Sequence, residues 1–471
     1  MLTNGILLRS CAIISLIIAL YLFVVDLPDL YSYLPILPFF CSLYYLLCDR
    51  FLGLSKVSVA NVLIISLSFV RYSLLSLLMY LGHFFAITSW SATQENFNSA
   101  VCLMTYEAFV IFVALIVGNL ISFKFSRNYF IIERKTITKI IISLSVLFVL
   151  LVLVVYPDTL DIFMSIFQLD QLEFTHGSRI EKADAGSLKR VFQTLFSVIF
   201  FLIRVVFPVY MLKIFSEKKM SIIFYIFWTL FFVFLQFIFI TSTFAESIIC
   251  SLLILLCSNK LNSKGGEKLI KMTPFFIIGI FFTFFYVRYL VNLSSPFRSM
   301  YQGKSFFEHV CSLVNSYFTG HFNVAGSFMM KNENVFNVFK ITYLRTIPFN
   351  STMFNVTGTP IQTIFNTYNH TLGQISSSVG DGLFFTNTLF APIFSFILTF
   401  LSVVFCRLAD LTKSLWRYLA LIFSSIIFAL GIAMYNEQIT LFYINQWFVP
   451  IFLMSFVCEK RIYTNTYEIK S

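Results

Sequence analysis

Twelve long apolar runs divide the chain, and they constrain its fold more than any other feature of the sequence. A helix needs about 20 apolar residues to cross the hydrocarbon core of a bilayer. The sequence therefore predicts an all-α polytopic integral membrane protein with about 12 transmembrane helices in a single transmembrane domain, residues 1–471. The runs lie at residues 6–25, 30–48, 60–85, 100–123, 137–156, 191–212, 221–240, 243–258, 272–292, 386–405, 417–434 and 440–457.

The composition agrees with lipid as the main solvent of the chain. Only 12% of the residues are charged and 58% are hydrophobic, whereas water-soluble domains carry about 25% charged residues. These proportions exclude a cytosolic enzyme, a secreted disulfide scaffold and a disordered chain. The nine cysteines lie mostly inside apolar runs and have no CxxC spacing, so we expect neither a disulfide framework nor a bound metal.

Two runs need interpretation. Residues 221–258 are too long for one crossing, because a single helix of that length would extend about 57 Å. The polar patch Thr241-Ser242-Thr243 predicts a turn that makes this stretch a hairpin of two helices. The first run resembles a signal peptide, but no small-residue cleavage site follows it, and we predict a retained first helix.

The distribution of basic residues predicts the topology. Of the 33 Lys and Arg residues, 21 lie on one set of alternate connections, while four short connections on the opposite side contain none. Because cytoplasmic loops are enriched in Lys and Arg, both termini are predicted to be cytoplasmic. Two large loops, 157–190 after helix 5 and 293–385 after helix 9, are predicted to be external and hold nine more basic residues.

Three arginines lie within predicted spans: Arg71, Arg204 and Arg288. A charged side chain at this depth costs at least a few kcal/mol and usually faces a partner or a polar cavity. Each arginine therefore has three interpretations: a substrate-binding cation, an Arg–Glu pair that joins two helices, or a side chain that extends to the interface. Glu107 and Glu246 lie in the outer parts of their own spans.

The external loop 157–190 contains His176 and Arg179 among charges of both signs, and Lys189-Arg190 stand at the start of the next helix. Free N–H groups at a helix N-terminus attract anions, which favours an anion site there. A solvated loop whose charges compensate one another is the alternative.

The external loop 293–385 is too long for a simple connection. A helix is predicted at 305–319 from the spacing of its apolar residues. Aromatic residues such as Tyr317 and Tyr368 alternate with Asn, Ser and Thr, including Asn323. Aromatic faces beside amides and hydroxyls suit sugar rings, and an aromatic cap at the membrane interface is the alternative.

Several common catalytic motifs are absent from the sequence: a P-loop, a glycine fingerprint for dinucleotides, HExxH, and an acidic DxD pair in a cytoplasmic loop. We therefore expect no cofactor, no metal and no nucleotide chemistry on the cytoplasmic side. An enzyme of this kind would act outside, on a substrate that carries its own activation. With 21 basic residues explained by topology, nucleic acid is not an expected partner.

The layout resembles the bacterial O-antigen and capsule repeat-unit polymerases, the Wzy-type oligosaccharide polymerases, whose architecture is GT-C-like. The resemblance covers the chain through its helix count, termini and two external loops. Local matches are Arg71-Tyr72, Tyr317-Phe318-Thr319-Gly320, and Gly380-Asp381-Gly382 with Ala391-Pro392 at the tenth helix.

The resemblance implies a metal-independent glycosyltransferase of the bacterial inner membrane with its active site outside. It would join undecaprenyl-diphosphate-linked oligosaccharides, with membrane lipid and a chain-length regulator protein as further partners. Arginine suits the diphosphate leaving group because its fork binds phosphate bidentately. The general base is unassigned among His321, His370, His176 and Glu246. The predicted diphosphate-binding residues are Arg71, Arg179, Arg190, Arg204, Arg288, Arg298 and Arg345, and the predicted glycan contacts are Tyr317, Asn323 and Tyr368.

Two alternatives remain open from the sequence. A lipid-linked oligosaccharide flippase or other transporter could also have twelve spans and buried charges, although transporters usually show two related halves. An O-antigen ligase would use the same donor with a different acceptor.

Overall fold

A computed structural model gives the architecture of the chain. Apart from two short strands, the regular structure that it describes is helical. Contacts group the chain into two compact units. The described residues are 4–54, 58–82, 94–121, 129–155, 187–238, 244–262, 308, 310, 314–315, 317–330, 334–347, 358–369 and 375–463.

Eight described helices are long and apolar enough to cross a membrane, which confirms the predicted class of helical membrane protein. Their apolar residues are often exposed; Ile13 and Ile17, for example, are each 60% exposed. Apolar surface of this extent requires lipid around it. The eight helices are Asn4–Val24, Val59–Leu81, Asn96–Leu120, Lys135–Val155, Val198–Glu217, Ile393–Leu411, Leu415–Ala433 and Glu437–Cys458.

The first unit comprises Met1–Lys124, Gly303–Asp410 and Ser424–Asn445. Helix α1 (Asn4–Val24) packs along α2 (Ile36–Leu52), and α2 packs along α4 (Gln94–Leu120). Helix α3 (Val59–Leu81) begins at Ser58, whose hydroxyl accepts from the Asn61 N–H, a standard N-cap. A π-helical turn at Val70–Leu74 interrupts α3 and contains Arg71. Such turns are frequent at functional sites.

The second unit comprises Phe125–Gln302, Leu411–Phe423 and Gln446–Ser471. It contains α5 (Lys135–Val155), α6 (Ser187–Glu217), α7 (Ile222–Ile238) and α8 (Phe244–Leu261). Helix α7 ends at Ile238 and α8 begins at Phe244, and the turn predicted at Thr241-Ser242-Thr243 lies outside the described residues. Strand β1 (Tyr129–Glu133) pairs antiparallel with β2 (Glu459–Tyr463), which joins two segments that the sequence predicts on the same side.

The described part of residues 303–385 in the first unit includes the short helices α9 (His321–Ser327), α10 (Val335–Leu344), α11 (Ile361–Tyr368) and α12 (Ser378–Phe385). All seven residues of α9 are buried. The described residues of the predicted helix at 305–319, which include Val314 and Tyr317, are helical except for Phe318 and Thr319 at its end.

The last three helices are α13 (Ile393–Leu411), α14 (Leu415–Ala433) and α15 (Glu437–Cys458). The predicted start of the tenth span at residue 386 is wrong by seven residues. Asn387 accepts from the N–H groups of Leu389 and Phe390 and so forms a turn, and α13 begins only after Pro392.

Candidate functional site

A buried cluster of polar side chains joins α12 to the start of α15 in the first unit. Asp381 of α12 is completely buried, and Glu437, the first residue of α15, is 3% exposed. The two carboxyl groups are hydrogen-bonded to each other. A bond between two carboxyls requires a proton on one of them, so the pair shares a proton. The pair joins two segments, 293–385 and 435–439, that the sequence predicts on the outer side.

One asparagine and one serine side chain, Asn436 and Ser376, hold the carboxyl pair in place. Asn436 is the N-cap of α15, because its Oδ1 accepts from the N–H of Ile439 at 3.0 Å. The Nδ2 of Asn436 then donates to Asp381 Oδ2 at 3.1 Å and to Ser376 Oγ at 3.2 Å. Ser376 is also hydrogen-bonded to Asp381. The helix start and the carboxyl pair are therefore fixed by the same residue.

Tyr343 connects the carboxyl pair to a less buried position. Its hydroxyl donates to Glu437 Oε1 at 3.2 Å, and its side chain is half-buried. Its ring lies 4.4 Å from that of Phe339 and 6.2 Å from that of Phe385, measured between centroids. Burial, and next the neighbouring Glu437, raise the pKa of Tyr343, so its hydroxyl keeps its proton and serves as a donor.

The electrostatics of Asp381 suit proton transfer near neutral pH. Burial raises the pKa of Asp381 from 3.8 to about 7, against the lowering effect of its hydrogen bonds with Ser376, Glu437 and Asn436. A general acid or base works best when its pKa is close to the working pH. Residues with such perturbed pKa values concentrate at functional sites.

Glycines on both sides of Asp381 allow α12 to pack closely. A Cβ on Gly382 would overlap the carbonyl oxygen of Ala391, and a Cβ on Gly380 would overlap the hydroxyl of Ser327. Ser377 caps α12 by accepting from the N–H of Gly380 at 3.0 Å. These contacts give the Gly380-Asp381-Gly382 motif a physical reason that the sequence did not reveal.

Arg71 lies in a different network of the first unit. It forms an ion pair with Glu107 at 3.0 Å between Nη2 and Oε2, and both side chains are completely buried. Its Nη1 donates to the carbonyl of Ile432 at 2.6 Å and to the Tyr72 hydroxyl at 3.1 Å. Ser395 donates to Glu107 Oε1 at 2.6 Å. These contacts match the second interpretation given above, an Arg–Glu pair that joins two helices.

The contact between Arg71 and Ile432 is one of three that cap the C-terminus of α14. The last carbonyls of a helix have no partner within it. Ser378 donates to Gly431, Arg71 to Ile432 and Thr319 to Ala433, at 2.9, 2.6 and 3.0 Å. A cation at this position also interacts favourably with the helix dipole.

His321 is completely buried in the first unit. Its Nε2 lies 3.3 Å from the Ser76 hydroxyl, and its ring stacks on Phe97 with 5.8 Å between centroids. Burial, and next the charge of Arg71, lower the pKa of His321 to about 3. The imidazole is therefore neutral and only a weak base at physiological pH.

Arg204 lies in the second unit and is 6% exposed. Its guanidinium donates to Gln236 Oε1 at 3.1 Å, to the Gln236 carbonyl at 3.3 Å and to Ser247 Oγ at 3.2 Å. None of the described carboxylates forms an ion pair with it. Arg204 is thus a buried cation held by neutral groups, in contrast to Arg71.

The remaining predicted residues are dispersed. Glu246 lies in the first turn of α8 and is partly buried. Asn323 Nδ2 donates to the carbonyl of Ile375 at 2.7 Å, while Tyr317 and Tyr368 are partly buried. Arg190 is in the first turn of α6, as expected for a residue at the start of that helix. The predictions at His176, His370, Arg179, Arg288 and Arg298 lie outside the described residues.

Asp381, Glu437 and Tyr343 were not among the predicted site residues. Asp381 belongs to the quoted glycine motif, and Glu437 lies in an outer connection without any Lys or Arg. The sequence signal that could have identified these two carboxylates is an acidic residue in an apolar stretch without a nearby basic residue. Within the described ranges, no three His, Cys, Asp or Glu side chains lie close enough together to hold a metal ion.

Comparison with known proteins finds no match: no protein-family model fits the chain, and no curated protein or solved structure is similar to it.

Proposed function

We propose that this protein is a membrane glycosyltransferase that polymerises undecaprenyl-diphosphate-linked oligosaccharide repeat units on the outer face of the bacterial inner membrane. The observation that supports the proposal best is the buried Asp381–Glu437 carboxyl pair with Tyr343. We propose that the chain crosses the membrane twelve times with both termini in the cytoplasm. We also propose that it works with a protein that regulates chain length.

The carboxyl pair supplies the base that glycosyl transfer requires. In the proposed reaction, a hydroxyl of the acceptor repeat loses its proton and its oxygen attacks the anomeric carbon of the lipid-linked chain. A new C–O bond forms, and the bond from the anomeric carbon to the diphosphate breaks. The lipid diphosphate leaves with the bonding electron pair, and the proton remains on the protein.

Tyr343 is the proposed route for the proton. The carboxyl pair is buried, whereas the hydroxyl of Tyr343 belongs to a half-buried side chain and already donates to Glu437. The acceptor hydroxyl would donate to Tyr343 Oη while Tyr343 passes its own proton to Glu437. Asp381, with a pKa of about 7, would then share the added proton.

The leaving group needs cations, and Arg204 is the proposed ligand of the lipid diphosphate in the second unit. An arginine keeps its charge when buried and binds phosphate bidentately. Arg204 lacks a carboxylate partner among the described residues, so a bound phosphate would supply the missing counter-charge. Arg71 already has Glu107 as its counter-ion.

A proton-coupled flippase or transporter is the second candidate function, and the same carboxyl pair favours it. Carboxyl groups that exchange protons are common in pumps and transporters, and Glu437 is the first residue of the span α15. A flippase would move the lipid-linked repeat across the bilayer without forming any glycosidic bond.

Reconstitution separates these two functions. Purified protein in liposomes receives lipid-linked repeats extracted from a strain that lacks this gene. The proposed polymerase makes lipid-linked oligomers from single repeats, and the Asp381→Asn and Tyr343→Phe variants make few or none. Formation of no oligomer, together with pH-gradient-driven movement of single repeats across the bilayer, would replace the polymerase with a transporter.

A further inference from the structure

The turn that joins α14 to α15 in the first unit carries half of the carboxyl site. Only residues 434–436 separate the end of α14 from the start of α15. The N–H groups of the first two of these residues both donate to the carbonyl of Leu430, at 2.8 and 3.1 Å. The turn is therefore bonded directly to the last turn of α14. A shift of that helix end would carry Asn436 and Glu437 with it.

Helix α12 holds both ends of this arrangement. Its first residue, Ser378, donates to the carbonyl of Gly431 at 2.9 Å. Asp381, three positions further along α12, accepts from Asn436 Nδ2 at 3.1 Å. Helix positions i and i+3 lie on the same face, so both bonds leave α12 on one side. The end of α14, the turn and α12 thus hold one another in a closed loop.

Thr319 supplies a second side chain to the end of α14. It is completely buried, and its hydroxyl donates to the carbonyl of Ala433, the last residue of α14, at 3.0 Å. Thr319 itself stands just before α9, where the N–H of Gly320 donates to the carbonyl of Asn315 at 3.1 Å. Because α9 packs against both α4 and α12, the Thr319 hydroxyl is presented from a well-packed part of the unit.

The backbone of Thr319 is strained, with a φ of 41°. This left-handed region is a genuine outlier for a β-branched residue, whereas glycine adopts it readily. Strained residues persist only where the surrounding structure holds them, and they cluster at active sites. Glycine would relax the backbone here but has no hydroxyl. The threonine therefore indicates that the hydroxyl is what this position requires.

We infer that Thr319 is a positioning residue for the carboxyl pair: its hydroxyl holds the end of α14 and, through the turn, holds Asn436 and Glu437 against Asp381. Thr319 acts through the Ala433 carbonyl and takes no part in the proton transfer itself. The inference rests on the proposed function in one respect, that the pair accepts the proton of the acceptor hydroxyl. A base must stay within hydrogen-bond reach of that proton, and a misplacement of about 1 Å can lower a rate about 10²-fold.

Replacement of Thr319 by valine and by serine tests the inference. Valine keeps the shape of threonine but lacks the hydroxyl, whereas serine keeps the hydroxyl. The purified full chain in liposomes receives lipid-linked repeats, and kcat and KM of oligomer formation are measured. We expect Thr319→Val to lower kcat by about 10–10²-fold with an unchanged KM, because the change displaces the base and not the groups that bind the substrate. Thr319→Ser should restore most of kcat.

Thr367→Val is the matched control. The hydroxyl of Thr367 also donates to a backbone carbonyl, that of Thr363 at 2.8 Å, but it does so at an exposed position of α11. Its loss removes the same type of bond without touching the end of α14, so kcat should stay at the wild-type value.

Thr319→Gly keeps the test decisive if the valine variant fails to fold. It lacks the hydroxyl as valine does, but it relaxes the φ of 41°. It should show the same loss of kcat with the same KM.

Infrared spectroscopy examines the carboxyl pair without any catalysis. The carbonyl stretching band of the protonated carboxyl is assigned by its loss in Asp381→Asn, and its frequency depends on the hydrogen bonds of that carboxyl. In Thr319→Val the band should shift, because Asn436 no longer stands 3.1 Å from Asp381 Oδ2. In Thr319→Ser and Thr367→Val it should coincide with the wild-type band.

The contrary results are distinct. An unshifted band in Thr319→Val or Thr319→Gly would overturn the inference, whatever the kcat. A serine variant as slow as the valine variant would also overturn it, because the methyl group and not the hydroxyl would then matter. The proposed function fails separately: a wild-type protein that makes no oligomer, with the band shifted in Thr319→Val, would contradict glycosyl transfer and leave the positioning role in place.

Discussion

Separate and joint replacement of Arg71 and Glu107 distinguishes a structural ion pair from a substrate-binding cation. The perturbations are Arg71→Met, Glu107→Leu and the two together. Each single change leaves one charge completely buried without its partner, 3.0 Å from where that partner stood. Breaking a buried pair in this way costs about 3–5 kcal/mol.

Arg71→Met has a further cost, because the carbonyl of Ile432 loses its donor at the end of α14. A buried acceptor without a partner costs about 1–3 kcal/mol. The double change removes both charges, and replacing a buried pair with apolar residues is often neutral or stabilising by 1–4 kcal/mol, roughly. In the double variant, the cost of the unpartnered Ile432 carbonyl opposes the gain from replacing the buried ion pair with apolar residues. The double variant should therefore unfold at nearly the wild-type temperature, well above the unfolding temperature of either single variant.

A thiol-reactive dye measures this unfolding in detergent, since seven of the eight described cysteines are buried and react only when the fold opens. Arg9→Met is the control, because Arg9 pairs with Asp49 while 67% exposed, and exposed pairs contribute about 0–1 kcal/mol. A double variant that is as unstable as the single variants would refute the structural assignment. A stable double variant that makes no polymer would assign Arg71 to the substrate after all.

Three further predictions concern other positions. Arg204→Met should lower the unfolding temperature less than Arg71→Met, because it leaves no charge unpaired, yet it should abolish oligomer formation; a fully active variant would remove Arg204 from the proposal. Gly382→Ala should cost about 1–3 kcal/mol or more, since the new methyl group overlaps the Ala391 carbonyl, and an unchanged thiol-reactivity midpoint would contradict this packing. Folding raises the pKa of Asp381 from 3.8 to about 7, so the protonated form of Asp381 favours the folded state. The free energy of unfolding of the wild type should therefore fall between about pH 4 and pH 7 and level off above pH 7. In Asp381→Asn this fall should be smaller by a few kcal/mol, and an identical pH dependence in both proteins would place the proton elsewhere.

Local patterns in the sequence were sufficient to predict the class of protein and the positions of many helices. Apolar length identified the eight spans that the structure describes. This feature depends on neighbouring residues only. The start of α13 was placed too early because Leu389 and Phe390 are apolar, although they belong to a turn formed by Asn387.

The carboxyl pair could not be found in this way, because Asp381 and Glu437 are distant in the chain and no local pattern joins them. Composition also gave an incomplete interpretation of residues 293–385. Asn and Ser residues that suggested sugar contacts are used partly within the fold; Asn369, for example, donates to the carbonyls of Gly326 and Phe365. Hydrogen bonds within the fold and bonds to a ligand require the same residue types.

The rate of glycosyl transfer as a function of pH, measured with purified wild type and Asp381→Asn, tests the proposed role of the carboxyl pair most directly. Asp29→Asn, a change at an exposed aspartate, is the matched control and should behave as wild type. If Asp381 accepts the proton, the wild-type rate rises with pH and levels off above about pH 7. The Asp381→Asn rate should be lower by a factor of about 10²–10⁴ and should not rise with pH in this way. An Asp381→Asn protein with the wild-type rate and pH profile would contradict the proposed role of the carboxyl pair.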